Sequence, residues 1–125
     1  MALTAIGEII QGLRERRYQI RSAAVLMASG RALPSLPEIL ASHPLIHTAE
    51  GEFFRTVVIK ACTELKVPVE KIRERELEEW SKSVFGRKAA RVSQRISGMG
   101  AILGAPWTAD HKAAAMAALI LQSRL

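Results

Sequence analysis

Apolar residues recur at helical spacing along most of this chain, and in two short segments the pattern changes. The longest helical pattern places Phe54, Val57, Val58, Ala61 and Leu65 on one stripe, widened by Phe53 and Cys62. It predicts a helix to which each large apolar side chain contributes roughly 1.5–3 kcal/mol on burial. Thr48 is the expected N-cap, which puts Glu50 and Glu52 in the first turn. There the helix dipole favours negative charge by about 0.3–1 kcal/mol. Upstream, Ile6, Ile9, Ile10 and Leu13 predict a helix over residues 4–16, with Thr4 as cap and Arg14, Arg16 and Arg17 at its end.

Between Tyr18 and Ala28 the apolar positions become nearly continuous, and the run stops at Ser29-Gly30. That length fits a strand buried on both faces, as in a parallel sheet, with a short helix as the competing reading. Residues 33–44 carry three prolines, and the capping-box spacing of Ser35 and Glu38 predicts one or two helical turns from Leu36 to Ala41. Pro44 is expected to hold His43 out of helical geometry. A second strand is predicted over Val67–Arg73, where Val67, Val69 and Lys71 alternate with Pro68, Glu70 and Ile72. Helices follow over Glu74–Phe85, with Leu77, Trp80 and Val84 inward, and over Arg87–Met99, with Ala89, Val92 and Ile96 inward. A glycine-rich loop from Gly98 to Pro106 leads to a Thr108-capped helix, Ala109–Arg124, whose core face is Ala113, Met116, Ala117, Ile120 and Leu121. Its alanines suggest close packing on a sheet.

The order amounts to a single α/β domain over residues 1–125: a βαβ core with parallel strands, a right-handed crossover and flanking helices. Two parallel strands alone leave two unpaired edges. The sheet is therefore expected to be completed by an identical subunit, by a partner chain, or by further N-terminal residues.

Composition is that of an ordinary globular domain, 49% hydrophobic and 24% charged. The single cysteine forms no intrachain disulfide and suits a reducing compartment. No apolar run approaches the ~20 residues that span a bilayer, and no signal-peptide pattern opens the chain, so a cytoplasmic location without a membrane partner is expected. Charge changes the picture more. The net charge is +6, and residues 86–125 carry six Lys/Arg against one acid, Asp110. Such a balance suggests an anionic partner, of which nucleic acid (DNA included) is the commonest, or else a solvated basic face. Arg87, Arg91 and Arg95 recur every four residues with Lys88 beside them, a pattern able to contact successive phosphates. Trp107, next to Pro106 in the glycine-rich loop, is expected to be exposed and to stack on a base.

Candidate chemistry is sparse. His43 and His47 lie four apart, but with Pro44 between them they are not expected to form an i,i+4 helical metal pair; His47 is expected to bond a backbone group. Gly98, Gly100 and Gly104 lack the Lys-Ser/Thr of a P-loop. Glu50 and Glu52 point about 200° apart on a helix, so only one of them can join Asp110 and His111 at one end of the sheet.

The order of elements resembles the second half of the ribonuclease H-like fold, as in RuvC-type Holliday junction resolvases. The resemblance is carried by Ile6 to Ala28, Ala49-Glu50-Gly51, the strand around Val69, the basic stretch Arg87 to Arg95, and the closing Ala109-Asp110-His111-Lys112-Ala113-Ala114-Ala115-Met116-Ala117-Ala118. The last is similar to that family's Ala-Asp-x-x-Asp-Ala-x-Ala-x-Ala helix, whose acids bind metal. The resemblance implies a nuclease ancestry with Mg²⁺ as the metal. Asp110, Glu50 and Glu52 are then the catalytic candidates, and Asp110, Glu50 and His111 the metal ligands. The departures are specific: the family's first catalytic aspartate lies on a strand not seen here, residues 23–29 contain no acid, and Ala113 stands where the closing helix has its second acid. What is implied is a nucleic-acid-binding ribonuclease H-like module deficient in catalysis as an isolated chain. The alternatives are a non-enzymatic homo-oligomer with a solvated basic face and, third, a metal-dependent nuclease with a rearranged site.

Overall fold

The structure, a computed structural model, describes residues 2–28 and 33–124. It is mixed α/β and mostly helical, with a two-stranded parallel sheet. In chain order the elements are α1 (Ala2–Glu15), β1 (Ala23–Met27), α2 (Leu36–Leu40), α3 (His43–Glu64), β2 (Val69–Arg73), α4 (Leu77–Phe85), α5 (Ala89–Gly98), α6 (Gly100–Leu103) and α7 (Ala109–Ser123). Short 3₁₀ turns, Glu74–Glu76 and Gly86–Lys88, lead into α4 and α5. The Ser29-Gly30 stop expected after the first strand lies outside the described residues. The chain forms two compact units, one holding α1 to α3 and the other α4 to α7, with the residues of the strands divided between them.

In the first unit α1 and α2 pack on α3. Ile10, Cys62 and Val67 form the buried cluster, with Ile6, Ile20, Ala23, Val58, Leu65 and Val69 against it. Both long helices end the same way. Beyond α1, Tyr18 donates its backbone N–H to Leu13 O and Arg17 to Arg14 O. Beyond α3, Val67 donates to Cys62 O and Lys66 to Thr63 O. These paired bonds are Schellman caps, and their left-handed residues are Arg17 (φ 67°) and Lys66 (φ 61°) rather than glycine.

Several local expectations are corrected. The first helix starts at Ala2, so Thr4 lies within it, and Ile9 is exposed. Ser35 precedes α2 without a side-chain cap bond. α3 begins at His43, with Ser42 as N-cap and Pro44 in its first turn. Proline suits that place because the first helical N–H groups have no partner within the helix. Glu50 and Glu52 therefore stand well inside the helix, away from the positive end of its dipole. In α3 Ala61 and Cys62 are buried and Val58 is half-buried, as is the C-cap Leu65, whereas Phe53 and Phe54 are 73% and 67% exposed. All five residues of β1 are half-buried, not enclosed on both faces.

In the second unit α7 packs on α4 and α5 rather than mainly on a sheet. Ile72, Ile96, Ala117, Ile120 and Leu121 are buried, as is Ser81. Gly86, at φ 57°, ends α4 as expected. The glycine-rich stretch is not an open loop throughout, because Gly100–Leu103 adds a helical turn. Trp107 folds back against that turn. Its indole Nε1–H donates to Ile96 O at 2.9 Å, and a β-carbon added at Gly100 would sit 2.8 Å from Trp107 Cδ1.

Candidate nucleic-acid interface

The basic face is built by the Gly86–Lys88 turn and α5. Val92 and the buried Ile96 hold α5 in its unit, which turns Arg87, Lys88, Arg91 and Arg95 outward, all four exposed. Arg91 and Arg95, four residues apart on α5 with a rise of about 1.5 Å per residue, stand one turn apart, and Arg87 and Lys88 precede them in the 3₁₀ turn. None of the four cations forms an ion pair among the described residues, whereas in the same unit Arg73 pairs with Glu76 and Lys82 with Glu78.

Two of the four stand between helix ends. Lys88 is the N-cap of α5 and supplies no side-chain cap bond, and Arg87 immediately precedes it. The start of α5 presents partial positive charge there, while the end of α4 and the 3₁₀ turn present partial negative charge, so the two dipole effects oppose one another. Arg95, in the last turn, sits where the dipole favours it.

The open surface expected for Trp107 is corrected. The residue is half-buried and its N–H is engaged by Ile96, so it stabilises the α5–α7 connection rather than presenting a free stacking face.

The acidic candidates do not gather. Among the described residues no three His, Cys, Asp or Glu side chains converge as a metal site. Glu50 lies 3.7 Å from His47 Nδ1, and Glu52 lies 3.7 Å from Arg55. Asp110 is in the first turn of α7, a place where an acid complements the dipole. His111 is occupied locally: the Thr108 backbone N–H donates to its Nδ1 at 3.2 Å, and Thr108 Oγ1 lies 2.8 Å from the same nitrogen. An Nδ1 that accepts these bonds leaves the proton on Nε2, so His111 plays the part that a glutamate plays in a capping box.

His43 and His47 do come together. Because α3 starts at His43, the two rings lie one turn apart, with Nε2 to Nε2 3.1 Å and an interplanar angle of 88°. Sequence reasoning excluded this pair by treating Pro44 as a barrier. The signal that predicts it is Ser42 followed by a proline two residues later, a helix-start pattern.

Sequence reasoning also missed a groove of about 560 Å³ in the second unit, lined by Leu77, Ser81, Ala89, Ser93, Ile96 and Met116 among others. Small residues on α4, α5 and α7 leave this space open. Comparison of the chain with protein-family models, with curated proteins and with solved structures finds no match.

Proposed function

We propose that this chain is a nucleic-acid-binding module that contacts the phosphate backbone of DNA through Arg87, Lys88, Arg91 and Arg95. The carrying observation is that these four cations are all exposed on the Gly86–Lys88 turn and α5, with no acid paired to them among the described residues. Unpaired cations in this number suit a polyanionic ligand, whose released counterions return free energy on binding. The order of elements, helix–strand–helix–strand–helices, supports a ribonuclease H-like relationship to resolvase-type nucleases. The module binds without cutting, since Asp110 has Ala113 in place of a second acid one turn on, and two-metal phosphodiester hydrolysis requires several converging carboxylates.

The test is fluorescence anisotropy with branched and linear DNA across a salt series. Binding should weaken steeply with salt. An Arg87/Arg91/Arg95→Ala variant should reduce the log–log slope by about 2–3, at roughly 0.9 for each phosphate no longer neutralised. Negligible affinity at low salt, or affinity unchanged in that variant, overturns the reading. Mg²⁺-dependent cleavage abolished by Asp110→Ala would replace it with an active nuclease.

A second reading, homo-oligomerisation, is favoured by Phe53 and Phe54, adjacent aromatic side chains left exposed on α3. Sedimentation analysis decides it: a concentration-dependent dimer that a Phe53→Ser/Phe54→Ser variant dissolves.

A further inference from the structure

We infer that His43 and His47 form a chelating site for a divalent transition-metal ion of the zinc class, independent of the basic face on α5. The site follows from how α3 starts. Ser42 Oγ accepts the Leu45 N–H at 3.4 Å, Pro44 occupies the first turn, and Thr48 Oγ1 donates to Pro44 O at 3.0 Å. The helix is thus regular from His43 onward, and side chains four residues apart stand one above the other.

Distance makes the pair a chelate. Two ring nitrogens bound to one zinc ion at about 2.0–2.1 Å, and held 3.1 Å apart as here, subtend an angle near 100° at the metal. That angle suits tetrahedral or octahedral coordination, which the pair reaches once the exposed rings turn so that both Nε2 lone pairs converge on the ion.

The contact between the two Nε2 atoms needs one of them protonated and the other bare. On binding, the protonated ring moves its proton from Nε2 to Nδ1, so both Nε2 lone pairs face the ion and no proton leaves the pair. Glu50, 3.7 Å from His47 Nδ1, stands on the side of the ring away from the ion, the place from which carboxylates commonly orient metal-bound histidines. Both histidines are exposed, which admits the ion and the waters that complete its shell. Imidazole nitrogen selects zinc, nickel or copper, whereas magnesium and calcium prefer oxygen ligands.

The test is a titration of the full chain with ZnCl₂, followed by calorimetry and by imidazole ¹⁵N NMR. The expected result is saturation at one equivalent, with the His43 and His47 signals shifting together while His111, the third histidine, stays fixed. His43→Ala and His47→Ala should each weaken binding at least tenfold. Glu50→Gln should weaken it about tenfold, the lower end of the range for such supporting partners. MgCl₂ should produce no shift. Circular dichroism keeps the variants interpretable, since exposed positions should leave the helix content unchanged. No saturable binding to the native chain overturns the site, as does undiminished affinity in a His43→Ala/His47→Ala variant, or a response carried by His111.

Discussion

Val67 donates its backbone N–H to the carbonyl of Cys62 at 2.9 Å, while the side chains of both residues lie in the same buried cluster. One short segment thus ends α3, closes the first unit's core and turns the chain toward β2. The turn requires Lys66 in the left-handed region, at φ 61°, as the matching turn after α1 requires Arg17 at φ 67°.

Both positions are strained for a side chain with a β-carbon. Relief of about 1–2 kcal/mol in the folded state exceeds the extra chain entropy that glycine brings to the unfolded state. Lys66→Gly and Arg17→Gly should therefore each stabilise the protein by about 0.5–1 kcal/mol in urea unfolding. A loss of stability in both would show that the Schellman geometry is not what ends these helices.

Gly100 is demanded by close approach rather than by dihedral angle. A β-carbon there meets Trp107 Cδ1 at 2.8 Å and Cβ at 3.0 Å. Gly100→Ala should destabilise by about 1–3 kcal/mol through overpacking. Trp107→Phe, which deletes the indole bond to Ile96 O while the Met99 N–H bond to it stays, should cost about 1 kcal/mol through that lost hydrogen bond and poorer packing. Chemical denaturation of the two variants checks both figures.

Cys62 is buried, and desolvation raises its thiol pKa above the usual value. The neutral thiol is thus favoured in the folded state. In the unfolded chain the thiol ionises first as pH rises, so its contribution to stability is complete below the ordinary thiol range and is lost as pH climbs above it. Alkylation of the native protein near pH 8 should be at least tenfold slower than in denaturant. Comparable rates would place Cys62 at the surface.

The N-terminal end of α5 should separate stability from binding. Replacing Arg87 and Lys88 by glutamine removes two exposed cations that lie between the end of one helix and the start of the next, so stability should change by less than about 0.5 kcal/mol. The same change should weaken DNA binding and flatten its salt dependence. If stability falls by more than about 1 kcal/mol while binding is unchanged, these side chains serve the fold, and the proposed interface loses its main support.

Much of the architecture is legible in the pattern of apolar positions alone. The core face of α7 from Ala113 to Leu121, the inward side of α5 at Val92 and Ile96, and the order of helices and strands all follow from periodicity, because burial demands one apolar side. The exposure of Arg91 and Arg95 follows as well, since they lie off the apolar side of α5, but the helix expected from Arg87 begins at Ala89, and Arg87 and Lys88 fall in the 3₁₀ turn before it. What periodicity cannot specify is which apolar face finds a partner. Phe53 and Phe54 continue the stripe of α3, yet only its later residues, Val58 to Leu65, meet the cluster built around Ile10. Nor does local sequence choose between two plausible helix starts. Ser42 with Pro44 and Thr48 with Glu50 are both valid signals, and the structure takes the earlier, where α2 packs against α3. That choice moved Glu50 and Glu52 out of a dipole-favoured first turn and set His43 against His47. Trp107 was settled in the same way: its neighbours in sequence suggest an exposed loop, and only the approach of Gly100 and the Ile96 carbonyl draws it inward. Local sequence sets which conformations are open to each segment; tertiary contacts, made between residues distant in the chain, decide among those of nearly equal free energy.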